Sequence, residues 1–372
     1  MKTIIRGTLL LMALIVGGCG DKVNLEEAAV PLAAGIDLDE HNQLRFYVSN
    51  PVFGEKHSEE QQYNIPVSSL RESRSIQDAY TSGALEGRNY QVYVVGRKLL
   101  HHENWFKILD VVFRDARNTV LDRMVAFNGP LEEMFTVKTD KQPPLPVLLR
   151  GMIDSKSKRG TTVLTTVQDM HRQIFEEALT PSLSEVSYDA KQDSFRLSGT
   201  ALLTHKGKYA TSIGYQESVL MNLLKKDATK GVSLSFSIPG EPNSDFFSLD
   251  KVSFSVRDIK TKIKSSYSGD RFHFLIRMKV SAAMTEQLFT FDIQEHADIL
   301  ERKMSQQMQN QLEKLIRKFQ KHQIDPVGFG IYARAHQYRH FKSNEDNWGD
   351  AFSHADIKCN VSIKINSMGT IK

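Results

Sequence analysis

Lys251–Tyr267 reads KVSFSVRDIKTKIKSSY and Arg271–Met284 reads RFHFLIRMKVSAAM. In both, apolar residues alternate with Ser, Lys or Arg at a period of two. That is the pattern of an antiparallel strand with one face in a core and the other in water. The same texture begins near residue 186 and runs through FRLSGTALLT, KYATSIGY and VSLSFSIP. A helix over 215–226, carrying Val219, Leu220, Leu223 and Leu224, interrupts it. The longest helix is predicted from Ile293 to His322, where Ala297, Leu300, Met304, Met308, Leu312, Leu315, Ile316 and Phe319 recur at i, i+3 and i+4. This stripe fits packing on the second sheet. A coiled coil with another chain is the alternative, weakened by a run of only about three heptads. A final strand covers 356–365.

Upstream the pattern is mixed. A tether over 20–30 enters a short helical segment, NLEEAAV. Strands at 31–37 and 43–49 flank the polar turn Asp39-Glu40-His41-Asn42 and suggest a hairpin. Residues 54–66 read as a loop. Helices are predicted over Ser75–Glu86 and His101–Arg117, and strands over 90–96 and near 121–127. This strand–helix–strand alternation points to a mixed sheet with helices. Prolines 143, 144 and 146 precede a short apolar helix and the basic run Lys156-Ser-Lys158-Arg159, which reads as a solvated loop or, alternatively, a headgroup or partner patch. A helix near 166–178 stops at Thr180-Pro181.

At 372 residues the chain exceeds one typical domain. With 40% hydrophobic and 25% charged residues it can build ordinary cores, which excludes wholesale disorder. Its 48 basic and 44 acidic residues are near balance, so bulk charge does not argue for nucleic acid. Two cysteines support neither a disulfide framework nor a four-cysteine zinc site.

The N-terminus MKTIIRGTLLLMALIVGG has a basic start at Lys2 and Arg6 and an apolar stretch from Leu9 to Val16, too short to span a bilayer. Val16-Gly17-Gly18-Cys19 then resembles a bacterial lipobox. Small residues let the backbone lie in a peptidase cleft, and only the thiol can carry the diacylglyceryl thioether. Cleavage is expected between Gly18 and Cys19, with Cys19 becoming the S-diacylglyceryl, N-acylated first residue. Two acyl chains suffice for stable attachment where one is marginal. The other thiol, Cys359 in KCNVSIKI, reads as buried and inert; an intermolecular disulfide or a reactive thiol is the alternative.

No sequence motif for catalysis is found: there is no GxSxG elbow, Walker motif or GxGxxG. His336 and His340, at i and i+4, could share a helix face, but HEXXH is absent and no carboxylate base lies between them. No metal and no cofactor is expected. Gly328-Phe329-Gly330 follows a helix and a proline, and reads as a turn or close-packing site rather than a phosphate cradle. Trp348 reads as a core anchor, with a partner contact as the alternative.

The lipobox, the two halves, the long penultimate helix and the ending IDPVGFGIYARAHQYRHFKSNEDNWGDAFSHADIKCNVSIKINSMGTI resemble the C-subunit lipoprotein family of spore germination receptors in endospore-forming bacilli. The matching positions are Asp325, Gly328-Phe329-Gly330, Tyr338, Trp348, Phe352, Ile357 to Ile365 and Gly369. Gly20 stands where the family usually has tryptophan. The resemblance implies a multidomain α+β protein with mixed and antiparallel sheets packed with helices. It also implies a non-enzymatic, lipid-anchored subunit of a nutrient germinant receptor. Such a subunit would act with integral-membrane A and B subunits on the extracytoplasmic face of the spore inner membrane. An extracytoplasmic solute-binding lipoprotein is the alternative; it should show repeated βαβ units around a ligand cleft. The expected division is a signal peptide over 1–18, a lipidated tether over 19–30, an N-terminal α/β domain or pair of subdomains over 31–190, and a C-terminal α+β domain over 191–372.

Overall fold

The computed structural model describes residues 28–52, 59–81, 84–85, 90–116, 118–137, 142–228, 231–238, 250–289 and 293–368. In chain order the first strands are β1 (Ala28–Ala29), β2 (Ala33–Leu38), β3 (Leu44–Val52), β4 (Glu59–Pro66), β5 (Ala84–Leu85), β6 (Val92–Val95) and β7 (Arg123–Phe127). They continue with β8 (Ser182–Asp189), β9 (Ser194–Leu203) and β10 (Tyr209–Ile213). The last four are β11 (Ser233–Ser237), β12 (Lys251–Ser268), β13 (Arg271–Gln287) and β14 (Asp356–Ser367).

Eight strands form the first sheet, in the order β10-β9-β8-β7-β6-β2-β3-β4. Its centre, β2-β6-β7-β8, is parallel, and both flanks are antiparallel. A parallel centre is covered on both faces, which explains why Val92-Tyr93-Val94-Val95 is buried throughout. Tyr93 and Val95 enter one core with Trp105, Phe106 and Met170. Val92 and Val94 enter another with Leu131, Phe135 and Leu149. The expected division at 190/191 falls in the turn between β8 and β9, neighbours in this sheet.

The second sheet has the order β11-β12-β13-β14. β12 and β13 form the long antiparallel hairpin that their alternation predicts, closed by Gly269-Asp270, both at φ +56°. β14 returns parallel to β13. Phe254, Phe274, Ile276 and Val280 face the apolar stripe of the helix Ile293–Lys321 and the helix Tyr215–Lys225, so the stripe packs within the chain.

Several local expectations are corrected. Ala28–Ala29, within NLEEAAV, is a strand parallel to β5; residues 24–27 of that segment lie outside the described residues. The loop over 54–66 contains β4, an edge strand whose polar composition hid its one buried apolar anchor, Ile65. The helix set at Ser75–Glu86 runs from Leu70 to Tyr80, because Ser69 Oγ accepts the Glu72 N–H and the Glu72 carboxylate accepts the Ser68 N–H. In place of a helix over His101–Arg117 stand a 3₁₀ segment at Trp105–Leu109 and a short helix at Asp110–Arg114, after a one-turn helix at Arg97–Leu100. Asn104 takes φ +60° there, its N–H donating to Lys206 O, while Trp105 Nε1–H donates to Gly207 O. The helix near 166–178 starts with a Thr166–Asp169 capping box but ends at Ile174. A further helix, Leu131–Thr136, was not anticipated.

Candidate functional site

Of the residues that carry the family resemblance, Gly328, Gly330 and Trp348 converge on one carboxylate, whereas Tyr338 is exposed and Gly369 lies outside the described residues. Asp325 follows the long helix and is fully buried. Its Oδ1 accepts the Gly328 N–H at 2.8 Å, and its Oδ2 accepts the Gly330 N–H at 2.8 Å and Trp348 Nε1–H at 2.9 Å. Gly328 sits at φ +84°, a conformation that favours glycine. A Cβ on Gly330 would lie 2.5 Å from Ala178 O and 2.8 Å from Trp348 Cε2. The glycines therefore serve close packing and a tight turn. Burial raises the Asp325 carboxyl above the ordinary range, opposed by the Gly330 and Trp348 donors.

This clamp also reaches the first sheet. Asp325 O accepts the Thr180 N–H at 3.0 Å, and Arg334 makes paired bonds of 2.6 and 2.9 Å to Glu176. Burial alone would raise the Glu176 carboxyl; the bonds from Arg334 and the Ala178 N–H outweigh it and hold it low. Trp348 lies 3% exposed against Phe272, Phe341 and Phe352, as a core anchor. His336 and His340 do not share a helix face: Gln337 breaks the chain between Phe329–His336 and Tyr338–Lys342, and His340 stacks on Tyr267 at 3.8 Å. Among the described residues no three His, Cys, Asp or Glu side chains gather around a metal position. Cys359 is buried, and burial pushes its thiol up to about 12. Gly18 and Cys19 lie outside the described residues.

A second polar cluster sits at the carboxyl ends of the parallel strands, where open α/β sheets place their ligands. Here the position is filled. Arg97, just after β6, donates to Asn128 at 3.2 Å and Glu185 at 3.3 Å, and lies 3.6 Å over the Tyr209 ring. Ser212 Oγ donates to Glu185 at 2.8 Å. Burial raises the Glu185 carboxyl, countered by Ser212 and Arg97. Sequence reading missed this cluster and the Glu176–Arg334 pair, whose partners are far apart in the chain and belong to no motif.

Two mixed sheets packed with helices and joined by a buried C-terminal clamp define a multidomain α+β protein. Two family models divide the chain between them: the spore germination protein N-terminal domain over residues 21–188, and the spore germination B3/GerAC-like C-terminal domain over 198–369. The chain belongs to this spore germination family. It is 22% identical to spore germination protein B3 of Bacillus subtilis (strain 168), with all of both chains covered. It is 20% identical to spore germination protein GerQC of Bacillus cereus, with 97% of each covered. The crystal structure of the GerBC protein has the same fold, with a TM-score of 0.56 at 17% identity, covering 90% of this chain and 96% of the other. Among the described residues no helix is long and apolar enough to cross a membrane.

Proposed function

We propose that this chain is a non-enzymatic, lipid-anchored subunit of a nutrient germinant receptor, held on the outer face of the spore inner membrane and required for germination in response to nutrients. The observation that carries this reading is the family match across both halves, preceded in sequence by the Val16-Gly17-Gly18-Cys19 lipobox. A diacylglyceryl group at Cys19 replaces three-dimensional search by confinement at the bilayer and raises the effective concentration near membrane partners. Those partners are integral-membrane A and B receptor subunits. The body then contributes binding surfaces rather than chemistry: the carboxylates at the centre of its two polar clusters, Asp325 and Glu185, are engaged by neighbouring donors. The solute-binding alternative is disfavoured because the Arg97–Glu185 cluster fills the place where a ligand would sit.

Mass spectrometry of the native protein should find a lipidated Cys19 as the first residue. Cys19→Ala should give a folded protein that is lost from the membrane fraction, with impaired germination. Affinity capture from spore inner membrane should recover two integral-membrane proteins. Full germination with an unlipidated, soluble chain would refute the reading.

A further inference from the structure

The second sheet has a face that packs on nothing among the described residues, and it is strongly basic. Along β12 the inward residues Thr261 and Ile263 alternate with the exposed Lys260, Lys262 and Lys264. Along β13, Ile276, Met278 and Val280 face the core while Arg277 and Lys279 are exposed. On β14, Cys359 is buried and Lys358 is exposed. The register sets these cations side by side: Lys262 pairs with Arg277, Lys260 with Lys279, and Lys358 stands beside Leu275, itself opposite Lys264. Like charges directly opposite each other on a sheet are destabilising. None of the six has an ion-pair partner among the described residues. The nearby acids offer little relief. Asp356 is 3.3 Å from His273, Glu301 bonds Lys364 at the sheet edge, and Asp258 stands alone at one end of the face. In a chain of nearly balanced charge this is a marked local excess.

We infer that this face is a docking surface for anionic lipid headgroups of the bilayer. Its composition separates a lipid surface from a protein partner. Protein interfaces concentrate aromatic residues and arginine at their centre and are depleted in lysine. Here five of the six cations are lysines, on a three-stranded face whose only large apolar member at the centre is the half-buried Leu275. Lysine is a mobile point charge on a long stem, suited to a diffuse field of phosphates rather than to paired recognition of one carboxylate. Clustered cations next to an anionic leaflet are drawn to it within about a Debye length. The inference extends the proposed membrane attachment and uses that reading only to name the surface. It does not depend on lipid at Cys19.

The test therefore uses the chain without residues 1–19, which removes both anchor and leader. Flotation and light scattering measure its binding to vesicles of equimolar phosphatidylglycerol and phosphatidylcholine, against pure phosphatidylcholine. Binding is expected only to the anionic vesicles, and is expected to weaken as salt rises. Lys262→Glu, which puts a carboxylate opposite Arg277, should cut the affinity about tenfold or more, since each cation near an anionic surface counts for roughly fivefold. Its melting temperature should hold or rise, because a like-charge pair becomes an opposite pair. Lys264→Gln with Lys358→Gln should weaken binding similarly, whereas Lys314→Gln with Lys321→Gln, on the long helix, should not. Absence of anionic-vesicle binding overturns the inference and leaves the face to an acidic protein. Binding that survives the face variants, or is lost equally in the helix variant, overturns it as well. Lipidation at Cys19 is read separately by mass spectrometry, so either reading can fail alone.

Discussion

A buried carboxylate with three N–H donors cannot be cut on one side without stranding the other. Asp325→Ala leaves the donors of Gly328, Gly330 and Trp348 without their acceptor in a dry site. Breaking such an arrangement costs about 3–5 kcal/mol. Urea unfolding should show that loss, and Gly330→Ala should also destabilise because its Cβ meets the Ala178 backbone. A loss below about 1 kcal/mol for Asp325→Ala would remove the clamp from the account. Asp122 makes the opposite case. It is 4% exposed, its Oδ2 lacks a hydrogen-bond partner, and burial pushes its carboxyl up to about 8 from 3.8, with Arg123 opposing. Between those values the folded chain keeps a proton that the unfolded chain has lost. Stability from this group is full below the lower value and declines as pH rises toward the upper one. Asp122→Asn should flatten that decline and raise the melting temperature near pH 8 by several degrees, with little gain near pH 4. Equal pH slopes for both proteins in thermal melts would count against it. The Gly-x-Gly turn and the Trp348 anchor were legible from residue type alone. Asp122 was not, because an acid beside an arginine looks solvated until the strand is packed.

At the scale of elements, alternation announced the β12–β13 hairpin, and i, i+3, i+4 spacing the long helix, because one face of each is buried and one is wet. The helix at His101–Arg117 misled for the same reason: its apolar spacing is real, but tertiary bonds from Asn104 and Trp105 to the Lys206–Gly207 turn break it. β4 escaped because edge strands tolerate polar sequences. The other notable edge is β14, last in its sheet, whose outward N–H groups invite pairing with another chain. The long helix covers part of it. Ser305 Oγ accepts the Ile363 N–H at 2.9 Å, and Glu301 accepts the Ile365 N–H at 2.8 Å and bonds Lys364 Nζ. Ser305→Ala with Glu301→Ala strands those two donors, costing about 1–3 kcal/mol for each. The double variant should melt lower and self-associate with rising concentration in sedimentation velocity. A strictly monomeric double variant with parental stability would show that these bonds do not guard the edge.

At the scale of the whole molecule, the two sheets are not independent: Leu202 of β9 and Ile213 of β10, in the first sheet, enter the same apolar cluster as Phe254, Ile276 and the long-helix stripe of the second, and polar bonds reinforce that contact. Among the bonds that stitch them are Thr180 N–H to Asp325 O, the Glu176–Arg334 pair, Asn222 Nδ2 to Gly160 O at 2.8 Å and Thr162 O at 2.9 Å, Thr200 to Ser218 at 2.9 Å, and Lys318 Nζ to Ser212 O at 2.8 Å. The helix Tyr215–Lys225 turns its apolar residues toward the second core and its Ser218 and Asn222 toward the first sheet, so one helix belongs to both. The strand texture made the β12–β13 hairpin of the second sheet legible, whereas this seam was not, because its polar partners lie 18 to 158 residues apart. A polar seam holds two bodies together only while every member is satisfied. Hydrogen exchange should therefore find Val92–Val95 in β6 and Ile276–Val280 in β13 opening with the same free energy in the parent. Glu176→Ala with Asn222→Ala leaves Arg334 without its carboxylate and the carbonyls of Gly160 and Thr162 without their donor. The two sheets should then open at different free energies, separated by about 1 kcal/mol or more. Identical protection of both strands in the double variant would mean that apolar contact, rather than this hydrogen-bonded seam, couples the two sheets.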